Sequence, residues 1–123
     1  MQAGFYVDDD EALVFLVTRQ LEHQGHRVKS FLSPIEALSA IEREPLAFDV
    51  LVTDYNMPRL SGLKLLEAVR KLRSDLPVIL TSGFITDEMR AAAERSGASY
   101  LIHKPDTDDE LCEAIHRVAA KLP

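Results

Sequence analysis

Residues 6–15 read YVDDDEALVF, three aspartates and a glutamate behind a short apolar run. Like charges side by side repel, so such a cluster calls for a cation or a solvated setting. A solvated turn, a helix cap and a metal site are the three readings it allows. Other polar groups also follow apolar runs directly. Asp54 follows Val50-Leu51-Val52 after one threonine, Thr81 and Ser82 follow Val78-Ile79-Leu80, and His103 and Lys104 follow Tyr100-Leu101-Ile102. An Asp or Ser in any one of these places is most often a turn or a cap. Gathered together they would supply two or three carboxylates, a hydroxyl and an ammonium. That set suits phosphoryl transfer. Clustered carboxylates hold a hard cation such as Mg²⁺, and one of them can serve as nucleophile. The ammonium and the hydroxyl can hold the other phosphoryl oxygens.

The elements needed to gather them are legible. Phe5 to Val7 is a short apolar run, and Glu11 to Gln24 carries Leu13, Leu16, Val17 and Leu21 at helical spacing, with Gly25 as C-terminal stop. Arg27 to Phe31 alternates as an edge strand does. Ser33-Pro34-Ile35-Glu36 is a capping box with Pro at the first helical position. Val50-Leu51-Val52 and Val78-Ile79-Leu80 are continuous, as strands covered on both faces are. Leu63, Leu66 and Val69 mark a third helix after a loop with Pro58 and Gly62. Thr86 to Ser96 reads as a fourth, ended by Gly97. The last strand is Tyr100-Leu101-Ile102. Thr107-Asp108-Asp109-Glu110 is a second capping box, before Leu111, Ile115 and Val118.

The order βαβαβαβαβα demands parallel strands joined by right-handed crossovers. The expected fold is an α/β, doubly wound, five-stranded parallel sheet with five helices. The mixed second strand belongs at an edge, which matches the order 2-1-3-4-5 of flavodoxin-like folds. All strand C-termini then lie along one rim, where such folds bind ligands. Asp8-Asp9, Asp54, Thr81-Ser82 and His103-Lys104 converge there from four segments.

Length and composition bound the rest. A chain of 123 residues makes one domain, spanning 1–123, with 46% hydrophobic and 28% charged residues. A net charge of −6 disfavours direct binding to nucleic acid or an anionic membrane. The single Cys112 excludes an internal disulfide, and no Cys/His cluster has zinc spacing. No apolar run reaches the roughly 20 residues of a membrane span. The acids at residues 8–11 fall where a signal peptide would be apolar, so the expected compartment is the cytoplasm.

Four motifs carry a resemblance: Val7-Asp8-Asp9; Val52-Thr53-Asp54-Tyr55-Asn56-Met57-Pro58 with Gly62; Pro77-Val78-Ile79-Leu80-Thr81-Ser82-Gly83; and Lys104-Pro105. In order and spacing they closely resemble the receiver domain of bacterial two-component response regulators, over roughly residues 3 to 121. The resemblance implies that Asp54 is the phosphoacceptor. It implies that Asp8 and Asp9 are the acidic pair that holds Mg²⁺, Asp9 directly and Asp8 partly through water. Asp54 and the backbone carbonyl of Asn56 complete the protein ligands. Lys104 contacts the phosphoryl group, and the bond to Pro105 is typically cis. Ser82, 22 residues before Lys104 and followed by Gly83, is the expected hydroxyl. Asp10 is left to cap the first helix, with Glu11 in its first turn.

Two positions depart from the family. An aromatic residue usually stands three before the lysine, and here it is Leu101, with Tyr100 expected on the opposite face. An apolar residue usually follows Lys-Pro, and here it is Asp106. The histidines read as surface or satisfied side chains. Arg70, Lys71 and Arg73 read as a basic helix end explained by the dipole alone.

The expected function is a phosphorylation-controlled switch and not a turnover enzyme. Its implied donor is a histidine kinase or a histidine phosphotransfer domain, and an output domain or a homodimer partner is possible. A receiver-fold adaptor without phosphorylation is the alternative. An aspartyl-phosphate phosphatase is disfavoured, because such enzymes need an acid two residues after the nucleophile and Asn56 stands there.

Overall fold

The computed structural model describes residues 3–104 and 107–119. Five strands and five helices alternate: β1 (Ala3–Val7), α1 (Glu11–His23), β2 (Arg27–Phe31), α2 (Pro34–Arg43), β3 (Val50–Asp54), α3 (Gly62–Leu72), β4 (Val78–Ser82), α4 (Asp87–Arg95), β5 (Tyr100–His103) and α5 (Thr107–Ala119). All the pairings are parallel, and the sheet order is β2-β1-β3-β4-β5. Both the expected order and the edge position of β2 are met.

Alternation along the strands divides the core into two layers. Phe5, Val7, Leu51, Val78 and Leu80 face α2 and α3, where Ala37, Ile41, Leu65, Leu66 and Val69 close the layer. Tyr6, Val50, Val52, Ile79 and Ile102 face α1 and α5, against Val14, Val17, Leu21, Leu111 and Ile115. Every residue of β3 and β4 is buried, which is why those strands read as continuous apolar runs. Leu101 packs on the first layer and Tyr100 on the second, as alternation requires.

Local chemistry sets the helix starts. Asp10, Ser33, Ser61 and Thr86 are N-caps, and each side chain accepts a backbone N–H three residues on. Gly25 and Gly97 adopt φ of +93° and +87° after α1 and α4, a conformation that side chains with a Cβ resist. The cis bond expected before Pro105 and the acidic Asp106 lie outside the described residues. So do the side chains expected to form the capping box at 107–109.

The helix dipole does not by itself account for the basic end of α3. The guanidinium of Arg70 donates to the carbonyls of Leu76 at 2.6 Å and Gly97 at 2.7 Å. That of Arg73 donates to Phe48 at 2.6 Å and Pro45 at 3.1 Å, and lies over the Phe48 ring. Both arginines satisfy loop carbonyls at the rim away from the acids, a long-range role that spacing along one helix does not display. The expectation for the histidines also needs correction at one position. Both ring nitrogens of His26 are buried without a hydrogen-bond partner among the described residues, and its ring lies 5.4 Å from that of His116.

Candidate functional site

The sheet ladder runs one residue past β1 and β5. The Asp8 N–H donates to the Phe31 carbonyl at 3.1 Å, and the Lys104 N–H to the Ser82 carbonyl at 2.7 Å. Both residues are therefore fixed at the rim by backbone pairing. Asp54 ends β3 opposite Thr81, and Ser82 ends β4 opposite His103. The loop after β3 brings α3 in close, since the Gly62 N–H donates to the Tyr55 carbonyl at 2.9 Å. A Cβ on Gly62 would stand 2.1 Å from the Asp54 carbonyl oxygen, so glycine is required there.

Asp8, Asp9 and Asp54 come together. One carboxylate oxygen from each lies within 4.8 Å of the others. Asp8 is fully buried, Asp54 is 6% exposed, and Asp9 is open to solvent. Asp10 points elsewhere and caps α1 through a 3.1 Å bond from the Leu13 N–H. The run of acids thus divides as expected, with the first two at the cluster and the third at the helix.

Lys104 is the counter-charge. Its ammonium lies 2.5 Å from Asp8 Oδ2 and 3.3 Å from Asp54 Oδ2. Burial pulls its pKa down, but the hydrogen bond and charge of Asp8, with those of Asp54, outweigh this and raise it. Asp54 is pushed above the usual carboxylate range, first by burial and then by Asp8; Lys104 and the Asn56 N–H, which bonds Asp54 Oδ1 at 3.3 Å, oppose the shift. With all groups ionised, three carboxylates face one ammonium. A hard divalent cation on carboxylate oxygens would offset the excess, so the donor set fits Mg²⁺.

Ser82 is buried beside this cluster but engaged elsewhere. Its hydroxyl donates to the Phe84 carbonyl at 2.5 Å and accepts from Asn56 Nδ2 at 3.2 Å. Thr81 is buried within the strand, and its hydroxyl has no partner among the described residues. His103 is turned out to solvent.

Two contacts at the site are additions to what the motifs imply. Asn56 is expected there for its backbone carbonyl, yet its side chain also reaches Ser82. Tyr6 reads as part of an apolar run, yet its hydroxyl donates to Asp8 Oδ2 at 3.4 Å. Burial and then Asp8 push the Tyr6 pKa far up. A signal for this contact exists in the sequence, because residues 6 and 8 of an extended segment share a face.

A doubly wound parallel sheet with paired acids, a buried aspartate, a hydroxyl and a lysine on its carboxyl rim is the architecture of a receiver-type signalling domain. The family model described as "Response regulator receiver domain" matches residues 5–116, and the chain belongs to that family. Among curated proteins it is 33% identical to the C4-dicarboxylate transport transcriptional regulatory protein DctD of Rhizobium meliloti, over 95% of this chain and 25% of the relative. It is 35% identical to the transcriptional regulatory protein PrrA of Mycobacterium tuberculosis, over 94% of this chain and 48% of the relative. The chain thus spans half or less of these two relatives. Among solved structures, a response regulator receiver domain protein from Clostridium thermocellum superposes with a TM-score of 0.92 at 26% identity, covering 98% of this chain and 96% of that one. The chemotaxis protein CheY4 of Vibrio cholerae gives 0.89 at 26% identity, covering 96% and 98%. Receiver domains of response regulators serve phosphorylation-controlled signalling. No helix among the described residues is long and apolar enough to cross a membrane.

Proposed function

We propose that the chain is a signalling switch in which Asp54 accepts a phosphoryl group from a histidine kinase or a histidine phosphotransfer domain. The observation that carries this is the placement of Asp54. It is a nearly buried carboxylate at a strand end, close to Asp8 and Asp9 and joined to Asp8 by the one ammonium of Lys104 that contacts both. A carboxylate oxygen of Asp54 attacks the phosphorus of a phosphohistidine. The new O–P bond forms as the P–N bond breaks, its electron pair stays on the imidazole nitrogen, and that nitrogen takes up a proton. Lys104 turns its ammonium toward the phosphoryl oxygens, and the Ser82 hydroxyl leaves the Phe84 carbonyl to donate to one of them.

Asp9, Asp54 and the Asn56 carbonyl would hold Mg²⁺, with Asp8 acting partly through water. The bound ion would supply charge stabilisation to the phosphoryl oxygens and relieve carboxylate repulsion. Asn56, two residues after Asp54, has no proton to trade, so the site stores the phosphoryl group instead of turning over phosphomonoesters. The domain acts in the cytoplasm and signals to an attached output domain or a homodimer partner.

The test supplies Mg²⁺ with a small phosphodonor to the wild type and to Asp54→Asn, and follows the phosphoprotein by gel shift and intact mass. The wild type is modified and the variant is not. An unmodified wild type, or equal modification of both, overturns the reading.

A further inference from the structure

A buried carboxylate needs a donor on each oxygen. Asp8 has no exposed surface. Its Oδ1 accepts the Asp10 N–H at 3.0 Å. Its Oδ2 accepts from Lys104 at 2.5 Å and from the Tyr6 hydroxyl at 3.4 Å. The Lys104 bond is the shorter and dominates while the site is at rest.

The other buried strand residues of this core layer, Val50, Val52, Ile79 and Ile102, are aliphatic, and the half-buried Tyr100 packs against the same layer from β5. Tyr6 is itself only 2% exposed, so its ring fills that layer while its hydroxyl reaches the rim. An aliphatic residue would supply the packing and no donor.

The consequence appears when Lys104 moves. Phosphorylation of Asp54 draws the ammonium toward the phosphoryl oxygens, and Asp8 Oδ2 then loses its principal donor. Resting on the phosphoacceptor reading above, we propose that Tyr6 is a positioning residue whose hydroxyl holds the Asp8 carboxylate once Lys104 has turned to the phosphoryl group.

The experiment compares wild type, Tyr6→Phe and Ile79→Val by isothermal titration calorimetry, with far-UV circular dichroism confirming the fold. Each protein is titrated with Mg²⁺ alone and then, saturated with Mg²⁺, with beryllofluoride. Tyr6→Phe binds Mg²⁺ alone within about twofold of wild type, because Lys104 still holds Asp8. It binds beryllofluoride about tenfold more weakly, the scale of one hydrogen bond to a charged group. Ile79→Val trims the same core layer without touching Asp8 and leaves both affinities near wild type. Beryllofluoride binding by Tyr6→Phe within about twofold of wild type overturns the proposal. So does an equal loss for Mg²⁺ alone, or the same selective loss in Ile79→Val. A wild type that binds no beryllofluoride sinks the phosphoacceptor reading, and this proposal with it; that outcome is separate from the others because it appears before any substitution is made.

Discussion

Gly62 opens α3 against the backbone of the proposed phosphoacceptor, and adding one methyl group there has a calculable cost. A Cβ would meet the Asp54 carbonyl oxygen at 2.1 Å, its carbon at 2.9 Å and Tyr55 Cα at 3.0 Å. These are backbone atoms, which cannot rotate aside. Relief requires the helix start and the end of β3 to separate by roughly 1 Å. That movement stretches the bond from the Gly62 N–H to the Tyr55 carbonyl. Overpacking costs about 1–3 kcal/mol and a weakened hydrogen bond about 1 kcal/mol more. The better helix propensity of alanine returns at most about 1 kcal/mol. Gly62→Ala is therefore expected to lose about 1–3 kcal/mol, measured by urea unfolding under far-UV circular dichroism. It should also slow Mg²⁺-dependent phosphorylation, since the displaced peptide is that of Asp54. Gly83→Ala is the control. Nothing lies within 4 Å of its Cβ, and its stability should stay within about 0.5 kcal/mol of wild type. A Gly62→Ala protein as stable as Gly83→Ala would refute the steric reasoning.

The remaining expectations concern a cap and a half-buried histidine. Asp10→Ala removes the acceptor of the Leu13 N–H and should cost about 0.5–2 kcal/mol in urea unfolding, with Mg²⁺ affinity by calorimetry changing far less than in Asp9→Ala. Equal metal losses in the two variants would show that the acids are divided wrongly. His26 has its pKa lowered by burial and then by His116, so its neutral form is favoured in the fold. A depressed folded-state pKa gives stability that is present above the unfolded value near 6.5 and is lost as pH falls through the folded value. Unfolding midpoints should fall as pH drops below the usual histidine range, and His26→Gln should flatten that slope; an unchanged slope would exclude His26 as its source.

The architecture is legible in the sequence because its signals are short-range. Two-sided burial makes β3 and β4 continuous apolar runs, and the caps at Asp10, Ser33 and Thr86 announce helices in their own few residues. The gathering of Asp8, Asp9, Asp54 and Lys104 follows from parallel topology alone, because every strand delivers its next residues to one rim. What sequence does not reveal depends on reach across the fold. Arg70 and Arg73 find carbonyls 27 and 28 residues away, at Gly97 and Pro45, and nothing in their own helix marks those targets. His26 looks like any loop histidine until α5 brings His116 against it. Tyr6 hides in an apolar run because its ring is apolar, and only the hydroxyl at its end is chemical.

Ser82 connects the site to the surface by a short path. At rest its hydroxyl donates to the Phe84 carbonyl at 2.5 Å and accepts the Phe84 N–H at 3.3 Å, so one side chain closes the turn between β4 and α4. In the proposed switch that hydroxyl turns to the phosphoryl group, and the Phe84 carbonyl loses its donor. Phe84 is 60% exposed, so little packing resists a change in this turn. The family couples the same event to an aromatic ring three residues before the lysine. Leu101 occupies that position here, half-buried against the α2 and α3 layer, with no polar end and no long ring to swing. The backbone of the β4–α4 turn is then the part of the molecule that the Ser82 movement disturbs first. Partner recognition that reads phosphorylation in this chain should depend on Phe84 and its turn more than on Leu101. Binding of a phosphorylation-dependent partner should therefore weaken in Phe84→Ala and hold in Leu101→Val, measured by calorimetry with beryllofluoride present; the reverse order would refute the path through Ser82.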